Sequence, residues 1–221
     1  MSSRPDMLNS RKGKSSAASV IVLILLIVVA CVVLVDSLRS MFTFAVEIKG
    51  SSMLNTLYGG ELVGSDYRGG DIVYALRDFQ AERGGVVVID TTKNGASGSG
   101  NIFSSDVIIK RLIAVEGDSV KCENGIVYLK TAGGSYEAIE EEYAITNELY
   151  HFSEVTLGEG EIFFLGDNRP VSLDSQEVAE AGYSAFRYES IIGIVPDWAI
   201  SMKNFSTGWE RFRASFRSLF K

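Results

Sequence analysis

Ile48-Lys49-Gly50-Ser51-Ser52-Met53-Leu54-Asn55-Thr56-Leu57 is the stretch around which this chain is organised. It combines two adjacent serines, a preceding glycine and a mixture of apolar and turn-forming residues, just outside a long apolar run. Ser52 reads as a nucleophile held close to a membrane surface. Three other stretches bear on that reading: the apolar run, residues 106–118 and residues 163–175.

Residues 17–35 are almost wholly apolar, about 19 residues or roughly 28 Å as a helix, enough to cross a hydrocarbon core. A cleaved secretory signal needs a shorter apolar core, roughly 7–15 residues, and a small-residue cleavage site. This run is longer, is rich in Val, Ile and Leu, and ends at Val35-Asp36 without an Ala-x-Ala pattern. An uncleaved single-pass anchor over 17–36 is therefore expected. Arg4, Arg11, Lys12 and Lys14 outnumber Asp6 in the tail 1–16, which is expected to be disordered and cytoplasmic. Residues 37–221 would then be an extracytoplasmic domain on the cell membrane, since no second apolar run is long enough to return the chain.

The remaining length suits one domain with a small lobe inserted at about 119–160. A net charge of −7 argues against a nucleic-acid partner. Of the two cysteines, Cys31 would lie in lipid and Cys122 in water, so no disulfide and no cysteine metal site follows. His151 is the single histidine, which excludes a His-rich metal site and leaves one candidate for any Ser-His-Asp triad.

From Val46 onward the pattern becomes short apolar runs broken by glycine. It predicts strands over 46–49, 62–65, 71–75, 85–89, 107–115, 119–122, 125–130, 161–165 and 191–195. Asn124-Gly125 between two of these signals a tight hairpin. Residues 37–44 read as a connector, 91–106 as a mobile loop, and 132–160, with its acidic segment, as a weakly structured lobe. In the last segment Trp209, Phe212, Phe216, Leu219 and Phe220 follow helical spacing among Arg211, Arg213, Arg217 and Lys221. A basic amphipathic helix of this kind either lies on an anionic membrane or packs on its own domain.

A serine hydroxyl is a poor nucleophile until a base takes its proton. Lys110 is the candidate base. If 107–115 is a strand, Lys110 shares a face with Ile108 and Leu112, and Arg111 shares the other with Ile109 and Ile113. Burial among apolar neighbours favours a neutral amine. A strand-edge lysine that snorkels to water has the same sequence pattern.

Three segments resemble the bacterial type I signal peptidases. Gly50-Ser51-Ser52-Met53-Leu54-Asn55-Thr56-Leu57 is similar to their Gly-x-Ser-Met-x-Pro-Thr-Leu segment. Lys110-Arg111, followed by Gly117-Asp118, is similar to their Lys-Arg segment. Gly166-Asp167-Asn168-Arg169-Pro170-Val171-Ser172-Leu173-Asp174-Ser175 matches their Gly-Asp-Asn-Arg-x-x-Ser-x-Asp-Ser at every specified position. Arg83-Gly84-Gly85 resembles a fourth, weaker segment, normally Arg-Gly-Asp. The resemblance runs from about residue 17 to residue 195.

The resemblance implies a mainly β, mostly antiparallel catalytic domain with a smaller inserted β lobe and one N-terminal transmembrane helix. It implies a membrane-bound serine endopeptidase that cuts signal peptides from exported preproteins after small-x-small sites. Ser52 would be the nucleophile, Lys110 the general base, and Ser172 would orient the amine. The Ser52 N–H would help bind the oxyanion, and Gly50 stands where some members carry a serine donor. Asp167, Arg169 and Asp174 would tie the last segment to the site by ion pairs. Val46 and Ile48 are candidates to line small-residue pockets beside an edge strand, although core packing explains them equally. Partners would be preproteins and the lipid bilayer; a monomer with no metal or organic cofactor is expected. Asn55 stands in place of proline, Gly85 of aspartate and Gln176 of arginine, so Asp174 would turn to Arg111 or Arg169 for a partner. A second reading keeps the anchor and domain as a non-enzymatic binding protein. A third is a peptidase dedicated to a few exported proteins.

Overall fold

Val, Ile and Leu on every side of a continuous run produce the first element, α1 (Ala17–Phe42), whose side chains are almost all exposed. Residues 17–77, 79–93, 103, 105–182 and 185–218 are described by the computed structural model of the chain. The tail 1–16, residues 94–102 and 104 of the expected loop, and residues 219–221 of the expected C-terminal helix lie outside the described residues. Among the described residues, α1 is the one helix long and apolar enough to cross a membrane. The expected connector 37–44 is instead helical as far as Phe42. Ser37 Oγ donates to the Val33 carbonyl (2.7 Å), Ser40 Oγ to the Ser37 carbonyl (2.7 Å), and Arg39 pairs with Asp36 (2.6 Å). The polar residues that end the apolar run are thus satisfied inside the helix.

The chain divides into two units, one ending at Met41 and one running Phe42–Lys221. The second unit is mainly β. Its elements are β1 (Thr43–Glu47), β2 (Glu61–Val63), β3 (Asp66–Arg68), β4 (Ile72–Leu76), β5 (Val86–Asp90), β6 (Val107–Val115), β7 (Ser119–Glu123), β8 (Ile126–Lys130), β9 (Glu137–Ala138), β10 (Phe152–Thr156), β11 (Glu161–Leu165), α2 (Ser175–Glu180), β12 (Phe186–Arg187), β13 (Ile191–Val195), α3 (Asp197–Ser201) and α4 (Lys203–Ser218). One seven-stranded sheet runs β1-β4-β13-β5-β6-β11-β12, with every pairing antiparallel. A four-stranded antiparallel sheet, β10-β7-β8-β9, is inserted between β6 and β11, and β2-β3 is a separate hairpin. Each of the nine expected strands has a counterpart, the first beginning three residues earlier at Thr43.

The continuous apolar run of β5 reflects burial on both sides. Val86 and Val88 join Ile109, Met53 and Leu57 in one core; Val87 and Ile89 join Leu112 and Phe164 in another. A third core, with Ile113, Val120, Cys122, Phe152 and Phe163, fills the space between the two larger sheets. Between β6 and β11 the register slips, because Phe163 faces Ala114 while Phe164 faces Leu112. This bulge leaves Ile113 without an opposite residue, and consecutive phenylalanines reach different cores.

The lobe 132–160 is more ordered than its composition suggests. β10 pairs with β7, and Phe152 meets Phe163 at a ring-centroid distance of 5.3 Å. Polar and acidic residues hide this, because only one face of the small sheet is buried.

The Asn124-Gly125 signal produces a two-residue hairpin with Glu123 opposite Ile126 and positive φ at both turn residues, 51° and 79°. A Cβ on Gly125 would also lie 2.5 Å from the Asn147 carbonyl oxygen. Gly125→Ala should lower domain stability by more than about 1 kcal/mol, read as a reduced urea midpoint. An unchanged midpoint would remove this account of the turn.

Candidate active site

β6 aims its side chains alternately to the two faces of the sheet, so Lys110 and Arg111 leave in opposite directions. Both are buried, at 4% and 7% exposure, and a buried cation needs a counter-charge. The segment after β11 supplies one to each. Lys110 Nζ donates to Ser172 Oγ (2.5 Å) and lies 2.8 Å from an Asp174 carboxylate oxygen. Ser172 Oγ in turn donates to Asp174 (2.5 Å), whose other oxygen accepts the Gly166 N–H (2.9 Å). Asp174 is fully buried and is the N-cap of α2. Its partner is therefore Lys110, not Arg111 or Arg169 as expected from the sequence. The expected apolar surroundings of Lys110 also need correction, because a carboxylate stands beside the amine and neutralises a cation that burial would otherwise disfavour.

Ser52 enters this cluster through Gly166. A Cβ at Gly166 would lie 2.1 Å from Ser172 Oγ and 2.6 Å from the Ser52 carbonyl oxygen, so only glycine permits the approach. The Ser52 carbonyl accepts the Asn168 N–H (2.9 Å), and Asn168 Nδ2 donates to the Ser51 carbonyl (3.1 Å). Ser52 itself is half-buried on a turn after β1. The turn is held at its base by Gly50, at φ 82°, whose N–H donates to Gly59 (3.1 Å). Val46 is half-buried, whereas Ile48 is 2% exposed and packs in the core with Met53 and Leu57.

Arg111 grips Asp167 with two parallel hydrogen bonds, Nε to Oδ1 (2.8 Å) and Nη2 to Oδ2 (2.7 Å). Thr56 Oγ1 donates to the same carboxylate, so the pair also fastens the far end of the Ser52 turn. Asn55 has φ 88°, a left-handed conformation open to Asn and Gly and closed to proline. Its Nδ2 donates to the Tyr143 carbonyl (3.1 Å). The departure from the expected proline is thus a different turn with its own tether. Gln176, in place of arginine, accepts from Tyr150 Oη (2.6 Å).

Arg169, 1% exposed, donates from Nε to the Gly166 carbonyl (2.9 Å) and from Nη2 to Glu141. Burial opposes its charge, but the Glu141 carboxylate outweighs that and holds the guanidinium above its ordinary value. Glu141 also accepts from Tyr143 Oη (2.9 Å), and the Tyr143 ring lies 3.6 Å from the Arg111 guanidinium carbon. Burial and the Glu141 charge push the Tyr143 phenol upward. The backbone completes the join: Ile145 N–H donates to Asp167 (2.7 Å) and Arg169 N–H to Ile145 (2.9 Å). Glu141, Tyr143 and Thr56 were not singled out from the sequence. The available signal was an arginine expected to form an ion pair, in a chain carrying Glu140–Glu142. His151 is exposed and bonds the Leu149 carbonyl (2.8 Å).

Two substitutions probe these contacts. Glu141→Ala should destabilise the domain by about 3–5 kcal/mol, because Arg169 would stay buried without its counter-charge. An effect below about 1 kcal/mol in urea unfolding would show that water replaces the carboxylate. Asn55→Pro should be poorly tolerated while Asn55→Gly retains most of the stability; equal melting temperatures for the two would contradict the left-handed turn.

A family model described as signal peptidase, peptidase S26, matches residues 19–200. The probable signal peptidase I-2 of Synechocystis sp. is 32% identical over 144 residues, covering 65% of this chain. This chain spans 59% of that relative's length. Signal peptidase I U of Bacillus subtilis is 32% identical over 151 residues, covering 65% of this chain and 70% of that one. A crystal structure of a signal peptidase I from Enterococcus faecalis aligns with 53% of this chain and 98% of its own, at 22% identity and a TM-score of 0.37. The matched span takes in β1, the Ser52 turn, β6 and the Gly166–Ser175 segment, and the chain belongs to the signal peptidase family, peptidase S26.

Proposed function

We propose that this chain is a membrane-bound serine endopeptidase that removes signal peptides from exported preproteins after small-x-small sites. The observation that carries this reading is the meeting of three sequence-distant groups at Gly166: the Ser52 carbonyl, Ser172 Oγ and, through Ser172, Lys110 Nζ. In the proposed reaction the Lys110 ammonium first gives up a proton to water, and the resulting amine takes the Ser52 Oγ proton as that oxygen attacks the scissile carbonyl. The Ser52 N–H helps hold the oxyanion. Lys110 then returns the proton to the departing amine, and water hydrolyses the Ser52 ester. Ser172 and Asp174 position the lysine.

Substrate geometry has a candidate in β1, which leads to the Ser52 turn and forms one edge of the large sheet. An extended preprotein segment added along that edge would run toward Ser52, with Val46 beside it. α1 as a single-pass anchor, with the N-terminus in the cytoplasm and the domain outside, would bring a monomeric enzyme to membrane-held preproteins.

Purified full-length protein in detergent should cleave a synthetic preprotein after an Ala-x-Ala site. Ser52→Ala and Lys110→Ala should each lower kcat/KM at least about 100-fold. Full cleavage by Ser52→Ala would end the nucleophile assignment, and loss in Ser52→Ala alone would move the base away from Lys110. Failure of the wild type on several preproteins would favour a binding role.

A further inference from the structure

The C-terminal helix is turned inside out relative to an ordinary surface helix. α4 begins at Lys203, six residues before the expected start, and its polar side faces the domain. Thr207 Oγ1 accepts the Ile72 N–H (2.7 Å), Tyr74 Oη donates to Glu210 (2.7 Å), Arg211 Nη2 donates to the Gly70 carbonyl (3.0 Å), and Lys203 Nζ donates to the Thr56 carbonyl (2.7 Å). These contacts fix the helix's rotation. The opposite side carries Trp198, Met202, Phe205, Trp209, Phe212 and Phe216, alternately four and three residues apart across α3 and α4. Five of the six are 46–64% exposed, and Trp209 is half-buried. Trp209 and Phe212 stack at 6.0 Å, and Phe212 and Phe216 at 6.2 Å, making a continuous aromatic surface.

We propose that this aromatic stripe is a lipid-docking surface that seats the domain on an anionic bilayer. Its chemistry fits that occupant. α4 is basic, within a chain of net charge −7: Lys203 and Arg211 hold the domain, and Arg213, paired with Glu210 (2.9 Å), and the exposed Arg217 lie outside those domain contacts. Arg217 follows the stripe residue Phe216 and is exposed, so its long stem can reach anionic headgroups while the rings enter the acyl boundary. Both tryptophans of the chain are on the stripe, and Trp favours the membrane interface. A single amphipathic contact of this size binds weakly, but an anchor on the same chain makes the second contact intramolecular. The inference rests on α1 as that anchor. α4 lies beyond residue 200, where the family match ends, so five of the six stripe residues fall outside the matched region and Trp198 falls within it.

Because Trp198 and Trp209 are the only tryptophans, the full-length chain reports on this surface directly. It would be reconstituted into phosphatidylcholine–phosphatidylglycerol vesicles with and without brominated acyl chains. Emission should shift to the blue and fall by about half with brominated lipid, as for rings about 5–10 Å into the boundary. A Phe205→Ser/Phe212→Ser/Phe216→Ser variant should lose most of that quenching while still floating with the vesicles after an alkaline wash. Flotation reports α1, and quenching reports the stripe. A floating chain whose emission ignores brominated lipid overturns the proposal and leaves the anchor intact. Quenching that disappears with the alkaline wash, together with flotation, supports the stripe and overturns the anchor. Emission shielded from acrylamide, indifferent to brominated lipid and accompanied by concentration-dependent crosslinking would assign the stripe to a second copy and overturn the proposal.

Discussion

The buried Asp174 carboxylate is the constraint from which the site follows. It is fully buried, yet it meets Lys110 Nζ, Ser172 Oγ and the Gly166 N–H at once. Taking a carboxylate and an ammonium out of water costs several kcal/mol per ion, and the pair is tolerated only when hydrogen bonds satisfy the rest of each group. Here those bonds come from a hydroxyl and a backbone amide two and eight residues before Asp174 in the same loop. The loop after β11 is thereby drawn over β6. The proposed base is held in one orientation, and the Ser52 carbonyl lies across Gly166 from the Ser172 hydroxyl that holds it.

The same logic repeats with Arg111–Asp167 and Arg169–Glu141. In each, a charge that cannot be left alone in the interior selects one partner from a distant segment. Asp167 thereby fastens Thr56, and Glu141 fastens the inserted lobe. The small sheet is not a passive insertion. Its Glu141–Ile145 segment forms hydrogen bonds to the backbone and side chains at Gly166–Arg169, and Asn55 reaches it from the Ser52 turn. The departures at Asn55 and Gln176 are both locally satisfied, one by a left-handed backbone and one by Tyr150.

α4 illustrates a limit of amphipathic patterns. Its spacing correctly indicates a helix with an apolar side, and the natural expectation is that the apolar side faces the protein. Hydrogen bonds to β4 and its neighbouring backbone instead turn the polar side inward. The two readings left open by the sequence, packing on the domain and facing a membrane, are therefore not alternatives. The polar side does the first, and the aromatic side remains available for the second.

Local order determined much of what could be read directly. The β strands around the core, the Asn124-Gly125 hairpin and the long apolar helix each follow from neighbouring residues, because periodicity and turn chemistry act over a few positions. The resemblance of three separate segments, not local order, pointed to Lys110, Ser172 and Ser52 as one group. Tertiary structure alone decided the pairing of the buried charges: Lys110 with Asp174, Arg111 with Asp167, and Arg169 with Glu141. It also decided that Ile48 belongs to the core and that the helix 17–42 absorbs its expected connector. The physical reason is that a salt bridge or a buried face depends on distance in space, and residues 28 to 64 positions apart carry no periodic signal that says which of several carboxylates will meet which cation.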